Sequence, residues 1–296
     1  MRTVIHHLGH GASLDLQARA LAVSGEPALA AIIGGGRGCV LRIEGAVTGI
    51  WLPLRGRVQF GAATDSLLAA REVRITEAEP RLQVVGRGNA FWVALLGTPA
   101  AWRRLLETQS TAPLLDPVLM PARHAAEREL RRSAITLARS AAQGEIGAAV
   151  EVLIERIVAL QGSFAAAIAR CPGRTYAQRR QVFVRLQRVR NYLAANCHLD
   201  VDNAALSRMA SYSSWHFIRA FRAAYEETPH AYLVRLRLER ARRLLRASPL
   251  AIAEVALASG FENRCAFSRL FRQRFGMTAG AARRQDSMST VVAAVR

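Results

Sequence analysis

The sequence predicts an α+β protein of several domains: a β-rich, barrel-like N-terminal part, a helical segment, and an all-α C-terminal part with two helix-turn-helix motifs. Three observations predict it. Short runs of β-branched and aromatic residues separated by glycines fill residues 28–96. Helical spacing takes over after Pro121. The string Phe-x-Arg-x-Phe-Arg occurs twice, at Phe217–Arg222 and Phe267–Arg272.

The chain has 296 residues, 51% of them hydrophobic, enough for two buried cores. Its net charge of +19 comes from arginine alone, since there is no lysine. Residues 174–284 hold 21 arginines against 7 acids, whereas residues 1–173 hold 19 against 14. Such a basic C-terminal third favours a polyanionic partner, because the planar guanidinium suits phosphates and guanine edges. A solvated basic surface is the competing account. Cys39, Cys171, Cys197 and Cys265 are scattered, without zinc-ligand spacing, and read as reduced thiols. His6, His7 and His10 with Asp15 interrupt any signal-peptide core. No run approaches the 18 or so apolar residues of a membrane span. A soluble, cytoplasmic protein is expected, with no membrane partner.

In chain order, strands are expected at Ala28–Ile33, Cys39–Ile43, Val47–Leu54, Arg57–Phe60, Glu72–Thr76, Leu82–Val85 and Phe91–Leu96. Gly34–Gly38, Gly45, Gly56, Gly61, Glu79-Pro80 and Gly86–Gly88 would separate them, giving a small barrel or sandwich. Gly34–Gly38 lacks the Lys-Ser/Thr of a nucleotide loop and reads as a turn between strands. These strands contain no histidine, and no nucleophile elbow or paired carboxylates accompany them. The expectation is therefore no catalytic residue, no metal and no cofactor. The leading histidine trio reads as a mobile surface segment before it reads as a metal site. Trp51, Phe60, Phe91 and Trp92 could line a small-molecule pocket or be plain core. Residues 1–120 make up this first domain.

After a loop marked by Pro113, Pro117 and Pro121, Ala122–Ala142 is one candidate helix and Glu145–Arg170 another. In the second, Ile146, Val150, Leu153, Ile157, Leu160, Phe164 and Ile168 form a near-heptad seam. The seam either joins two subunits or packs on a neighbouring helix. Residues 121–173 thus form a helical linker or dimerisation segment, closed by Cys171-Pro172-Gly173.

Residues 174–284 are helical throughout, with 285–296 as a tail. A first helix runs from Gln178 to about Asn196, a second over Asp202–Ala210, and Ser213–Tyr225 follows. Pro229 opens a long connecting helix with Val234, Leu238, Ala241 and Leu245 inward. Pro249–Ala258 and Asn263–Arg274 then repeat the pair. Ser213 and Asn263 stand at N-cap positions. Phe217, Phe221 and Tyr225 face inward in one copy; Phe267, Phe271 and Phe275 do so in the other. Ser214, Trp215, Ile218, Arg219 and Arg222 face outward, as do Arg264, Cys265, Ser268, Arg269 and Arg272.

At Val255-Ala256, Gly260-Phe261, Phe267–Phe271 and Gly276-Met277-Thr278 the chain resembles the AraC/XylS family of bacterial transcription regulators, over about residues 178–284. The β-rich part looks like the cupin-like sensor domains that often precede this module. The resemblance implies that two recognition helices enter successive major grooves of double-stranded DNA. It places Trp215, Ile218, Arg219, Arg264, Cys265, Ser268 and Arg269 at bases or backbone. Arg222 and Arg272, one turn further on, suit phosphates. It further implies a small-molecule effector, a homodimer, and RNA polymerase as a further partner. Ala279 and Ala282 stand where the family has Pro and Tyr, which leaves the last helix less to pack with. Ser211 stands at a turn where glycine is common. A ligand-responsive transcription regulator is the expected function. The alternative is a barrel enzyme or small-molecule binder with an accessory basic helical domain.

Overall fold

The structure, a computed structural model, describes residues 2–23, 25–61, 67–109 and 119–284. Pro113, Pro117 and the tail 285–296 lie outside the described residues. The chain divides into two compact units, Met1–Gln187 and Arg188–Arg296.

The first unit is built on two long strands, β6 (Val40–Phe60) and β8 (Glu72–Gly97). Each absorbs three of the short strands expected from sequence. Register shifts at Glu44/Val47 and Pro53/Arg55 bend β6 where glycines suggested breaks. Both ends of β6 pair with one stretch of β8, Leu41 opposite Val84 and Phe60 opposite the same residue. The sheet therefore curls back on itself. Its order is β1 (Thr3–Leu8), β5 (Leu29–Gly36), β8, β6, β2 (Ser13–Gln17); β7 (Leu67–Ala69) pairs with β6 and β9 (Ala122–Ala125) with β8. A separate ribbon joins β3 (Ala22–Val23) and β4 (Glu26–Pro27).

Several expectations are corrected here. The leading histidines are not on a mobile segment: β1 pairs in parallel with β5, His6 opposite Ile32 and His7 opposite Ile33. Gly34 to Gly36 end β5, and the turn between the strands falls on Arg37 and Gly38 alone. Gly34 must be glycine, since a Cβ there would sit 2.1 Å from the Trp92 ring. Ala122–Ala125 is strand, and α2 begins only at Arg128 (Arg128–Gln143). Helix α1 (Pro99–Gln109), unforeseen, is pinned by Trp102, whose Nε1 donates to the Thr48 carbonyl at 2.9 Å.

Alternation along the strands sends side chains to two cores. Ala30, Ile32, Trp51, Val84, Trp92 and Ala94 fill one face with Leu41 and Phe60. Leu29, Ala31, Ile50, Leu52, Val93 and Leu95 pack on the other against α1, α2 and α3 (Gly147–Gln161). The expected single helix breaks after Gln161 into α3 and α4 (Phe164–Arg170). Ile146, Val150, Leu153 and Ile157 all lie in this intrachain core, and Leu160 packs against it. Five of the seam's seven residues are thus packed within the chain's own core. Contrary to the expectation from run length, Gly147–Arg170 is long and apolar enough by composition to cross a bilayer. Its inward face is instead packed in this core.

Helix α5 (Tyr176–Asn196) contains the division between units, which the sequence placed near Gly173. Its early residue Phe183 stacks on Phe164, ring centroids 5.2 Å apart. Later, the Arg190 guanidinium lies 4.9 Å from the Tyr225 ring, in the second unit. The second unit continues with α6 (Asn203–Met209), α7 (Ser214–Tyr225), α8 (Pro229–Ala247), α9 (Ile252–Ala258) and α10 (Arg264–Phe275), then a short helix over 279–284. Asp202 caps α6 through Ala204 and Ala205, and Thr228 caps α8 through Ala231. Ala279 and Ala282 are buried with Phe267 and Phe271, so the last helix packs despite its small residues. Arg283 secures it, donating to the Leu250 carbonyl at 2.6 Å.

Helices α6 and α9 begin 49 residues apart, and α7 and α10 begin 50 apart. The second motif's turn is therefore one residue longer. Ser211 in the first turn has φ 56°, where the second has Gly260 at 92°. A side chain in left-handed backbone costs about 1–2 kcal/mol, partly offset by the looser unfolded chain of a glycine. Ser211→Gly is expected to stabilise the unit by about 0.5–1 kcal/mol. A raised midpoint in urea unfolding, with unchanged slope, checks it.

Candidate nucleic-acid interface

Two helices present parallel sets of side chains because their inner faces are fixed by aromatic rings. On α7, Phe217 and Phe221 are fully buried, with ring centroids 5.8 Å apart, and Tyr225 stacks on Phe221 at 4.7 Å. On α10, Phe267 and Phe271 are equally buried at 5.5 Å, and Phe275 follows at 4.6 Å. Asn263 caps α10, its Oδ1 accepting from Ala266 N at 3.0 Å. Ser213 holds the matching position but makes no such bond; its Oγ lies 2.7 Å from His216 Nδ1.

The outward residues are where the 3.6-residue period puts them. Trp215, Ile218, Arg219 and Arg222 are exposed on α7, and Arg264, Cys265, Ser268, Arg269 and Arg272 on α10. Trp215 is 63% exposed, which removes packing on α8 as its explanation. With Ile218, Arg219, Arg222, Ala223 and Thr228 it borders a cleft of about 530 Å³. Among the described residues none of the five arginines on these two faces has a carboxylate partner. Arg219 instead lies over the Trp215 ring, 5.3 Å from its centroid.

Other arginines of this unit are spent on structure, a distinction that a charge count misses. Arg237 donates to the carbonyls of Cys197 and Leu199 at 2.7 and 2.9 Å, and Arg240 to that of Ala258 at 3.1 Å. Arg235 pairs with Glu227 at 2.7 Å and Glu239 at 3.3 Å; Glu239 also lies 4.0 Å from Arg274. That chain of charges runs from the end of α7 along α8 to the end of α10. The sequence signal for it was the acid at position 239 on an otherwise basic helix.

The four aromatic residues singled out in the N-terminal unit do not share one site. Trp51 meets Phe60 edge-on at 5.2 Å and Trp92 at 5.9 Å, all three buried together. Phe91, next along β8, points to the opposite core. Trp51 Nε1 is satisfied by Thr76 Oγ1 at 3.1 Å, whereas Trp92 Nε1 is buried without an acceptor. Burial lifts the Cys171 thiol to about 11, and it raises that of Cys197 as well. Cys265 alone of the four is exposed. Among the described residues no group of three or more metal-binding side chains occurs.

Residues 206–285 match the model of a helix-turn-helix domain family. A curated relative, the HTH-type transcriptional regulator GlxA of Rhizobium meliloti, is 41% identical over 87 residues, 29% of this chain and 26% of that protein. The HTH-type transcriptional regulator CdhR of Pseudomonas aeruginosa is 46% identical over 57 residues, 19% of this chain and 17% of its own length. The similarity thus spans about a quarter or less of these relatives. Among solved structures, the DNA-binding domain of AdpA in complex with a target DNA is 30% identical, with a TM-score of 0.33, covering 34% of this chain and 91% of that one. The tandem motifs, their inner aromatic faces and the family match agree: residues 206–285 form a helix-turn-helix domain.

Proposed function

We propose that the protein is a transcription regulator whose α7 and α10 read double-stranded DNA in successive major grooves. The observation that carries this is the exposed, carboxylate-free arginine set on two matched helices. Arg219 and Arg269 are proposed to pair with guanine O6 and N7, and Arg222 and Arg272, one turn further along each helix, to hold phosphate. The two readers address segments about one helical turn apart, roughly 10–10.5 bp. Relatives named as transcriptional regulators support the reading. No enzymatic role is part of it, and it places the protein in the cytoplasm.

The N-terminal unit is proposed to receive a small-molecule effector. Support comes from Trp92 Nε1, a buried donor whose missing acceptor a ligand carbonyl or hydroxyl would supply. A homodimer is proposed, and RNA polymerase is the proposed partner for activation.

Retardation of the DNA upstream of its own coding sequence tests the function. Arg222→Ala and Arg272→Ala are each expected to weaken binding to all duplexes alike. Each is also expected to lower the magnitude of the salt slope by about one. A loss confined to one sequence, with the slope unchanged, would remove these residues from the phosphates.

A further inference from the structure

The two readers are copies of one motif, but only one of them holds its arginine in place. On α7 the Arg219 guanidinium lies 5.3 Å from the centroid of the Trp215 ring, one helical turn before it. Trp215 also meets a second ring. His216 meets it edge-on at 5.0 Å and 84°, and the His216 Nδ1 lies 2.7 Å from Ser213 Oγ. Ser213 is free for this because it makes no capping bond. A chain of contacts therefore leads from the start of the helix to the reading arginine.

At the matching positions of α10 stand Asn263, Cys265, Ala266 and Arg269. Asn263 is committed to capping through Ala266 N. Neither Cys265 nor Ala266 offers a ring, so Arg269 has nothing to stack on at that position. The one-residue difference in the turns does not alter this comparison, because α7 and α10 correspond throughout their 12 residues.

From this asymmetry, and resting on the DNA-reading function above, we infer that Trp215 is a positioning residue for Arg219, making α7 the strict reader and α10 the permissive one. A free arginine side chain has many rotamers to lose, and a bidentate bond to guanine requires the guanidinium plane to align with the base. Stacking on an indole fixes that plane before DNA arrives, so less freedom is lost on binding. Arg269 must order itself at each encounter and tolerates other bases at lower cost. An exposed stack of this kind is worth a factor of about two to five in affinity for the preferred base.

The test uses full-length protein and a duplex that the wild type selects from a randomised pool. Trp215→Cys, which copies the second reader, is expected to lower the preference at the Arg219 base by about two- to fivefold. Its salt slope is expected to stay unchanged, since no charge is removed. Trp215→Phe keeps a ring and is expected to restore most of the preference. In an Arg219→Ala background the same Trp215→Cys change is expected to have no further effect on that base. Cys265→Trp is expected to sharpen the preference read by α10. If Trp215→Cys lowers preference equally with and without Arg219, the indole reads DNA directly and the positioning role is overturned. An unchanged preference in Trp215→Cys overturns it as well. Should the wild type select no sequence from the pool, the regulator reading itself fails, and this inference falls with it.

Discussion

Leu153→Asp is expected to leave the N-terminal unit unfolded. Leu153 is fully buried in the core that α2 and α3 share with Leu52, Val93 and Leu95. Truncating such a leucine to alanine costs about 2–5 kcal/mol, and an aspartate adds the burial of a carboxylate with no partner. The sum exceeds about 5 kcal/mol, the lower end of what holds a domain together. Urea unfolding followed by circular dichroism is expected to lose the transition of this unit while that of the helix-turn-helix unit persists. A well-folded monomer in sedimentation would instead return the seam to the role of a subunit interface.

Gly260→Ala is expected to cost the C-terminal unit about 2–4 kcal/mol. Gly260 has φ 92°, and a Cβ would stand 2.8 Å from Arg237 Nε, 3.0 Å from the Cys197 carbonyl oxygen and 3.0 Å from His198 Cα. Two of those neighbours are backbone and cannot swing aside. The third, Arg237, is held by its bonds to Cys197 and Leu199. Gly276 supplies the control, since it too has positive φ but nothing within 4 Å of an added Cβ. Gly276→Ala is expected to cost only the backbone term, about 1–2 kcal/mol. Equal losses in the unfolding midpoints of the two variants would show that the close approach to Arg237 contributes nothing.

The C-terminal unit was legible because its signals are local. Ring spacing of four residues, a cap such as Asn263, and Pro229 at a helix start each depend on a few neighbours. The copy at a shift of 49 to 50 residues then confirmed one motif with the other. The N-terminal unit was less legible because glycine has two uses in a strand. Gly45 and Gly56 looked like ends of short strands, but they sit within one bent strand. The strands β1, β2 and β9 carry too few apolar residues to stand out from loops. The seam from Ile146 to Ile168 showed which side is buried but not against what, since periodicity is blind to the partner. Charge had the same limit. Arginine counts could not separate Arg237 and Arg240, which hold carbonyls, from Arg219 and Arg269, which hold none.

On the proposed DNA-reading function, the ion chain Glu227–Arg235–Glu239–Arg274 has a consequence for the operator. It links the residues just after α7 and the last turn of α10 through α8, so that on this reading the distance and phase between the readers belong to the protein. Each base pair added between the two half-sites turns the second by about 34–36°, taking it out of register. A duplex that is slightly too long, too short or too straight must then deform, since the protein behaves as a ruler. That deformation is cheap at flexible pyrimidine–purine steps and expensive in stiff tracts. Base pairs between the half-sites, touched by no side chain, thereby acquire a vote in where this protein binds.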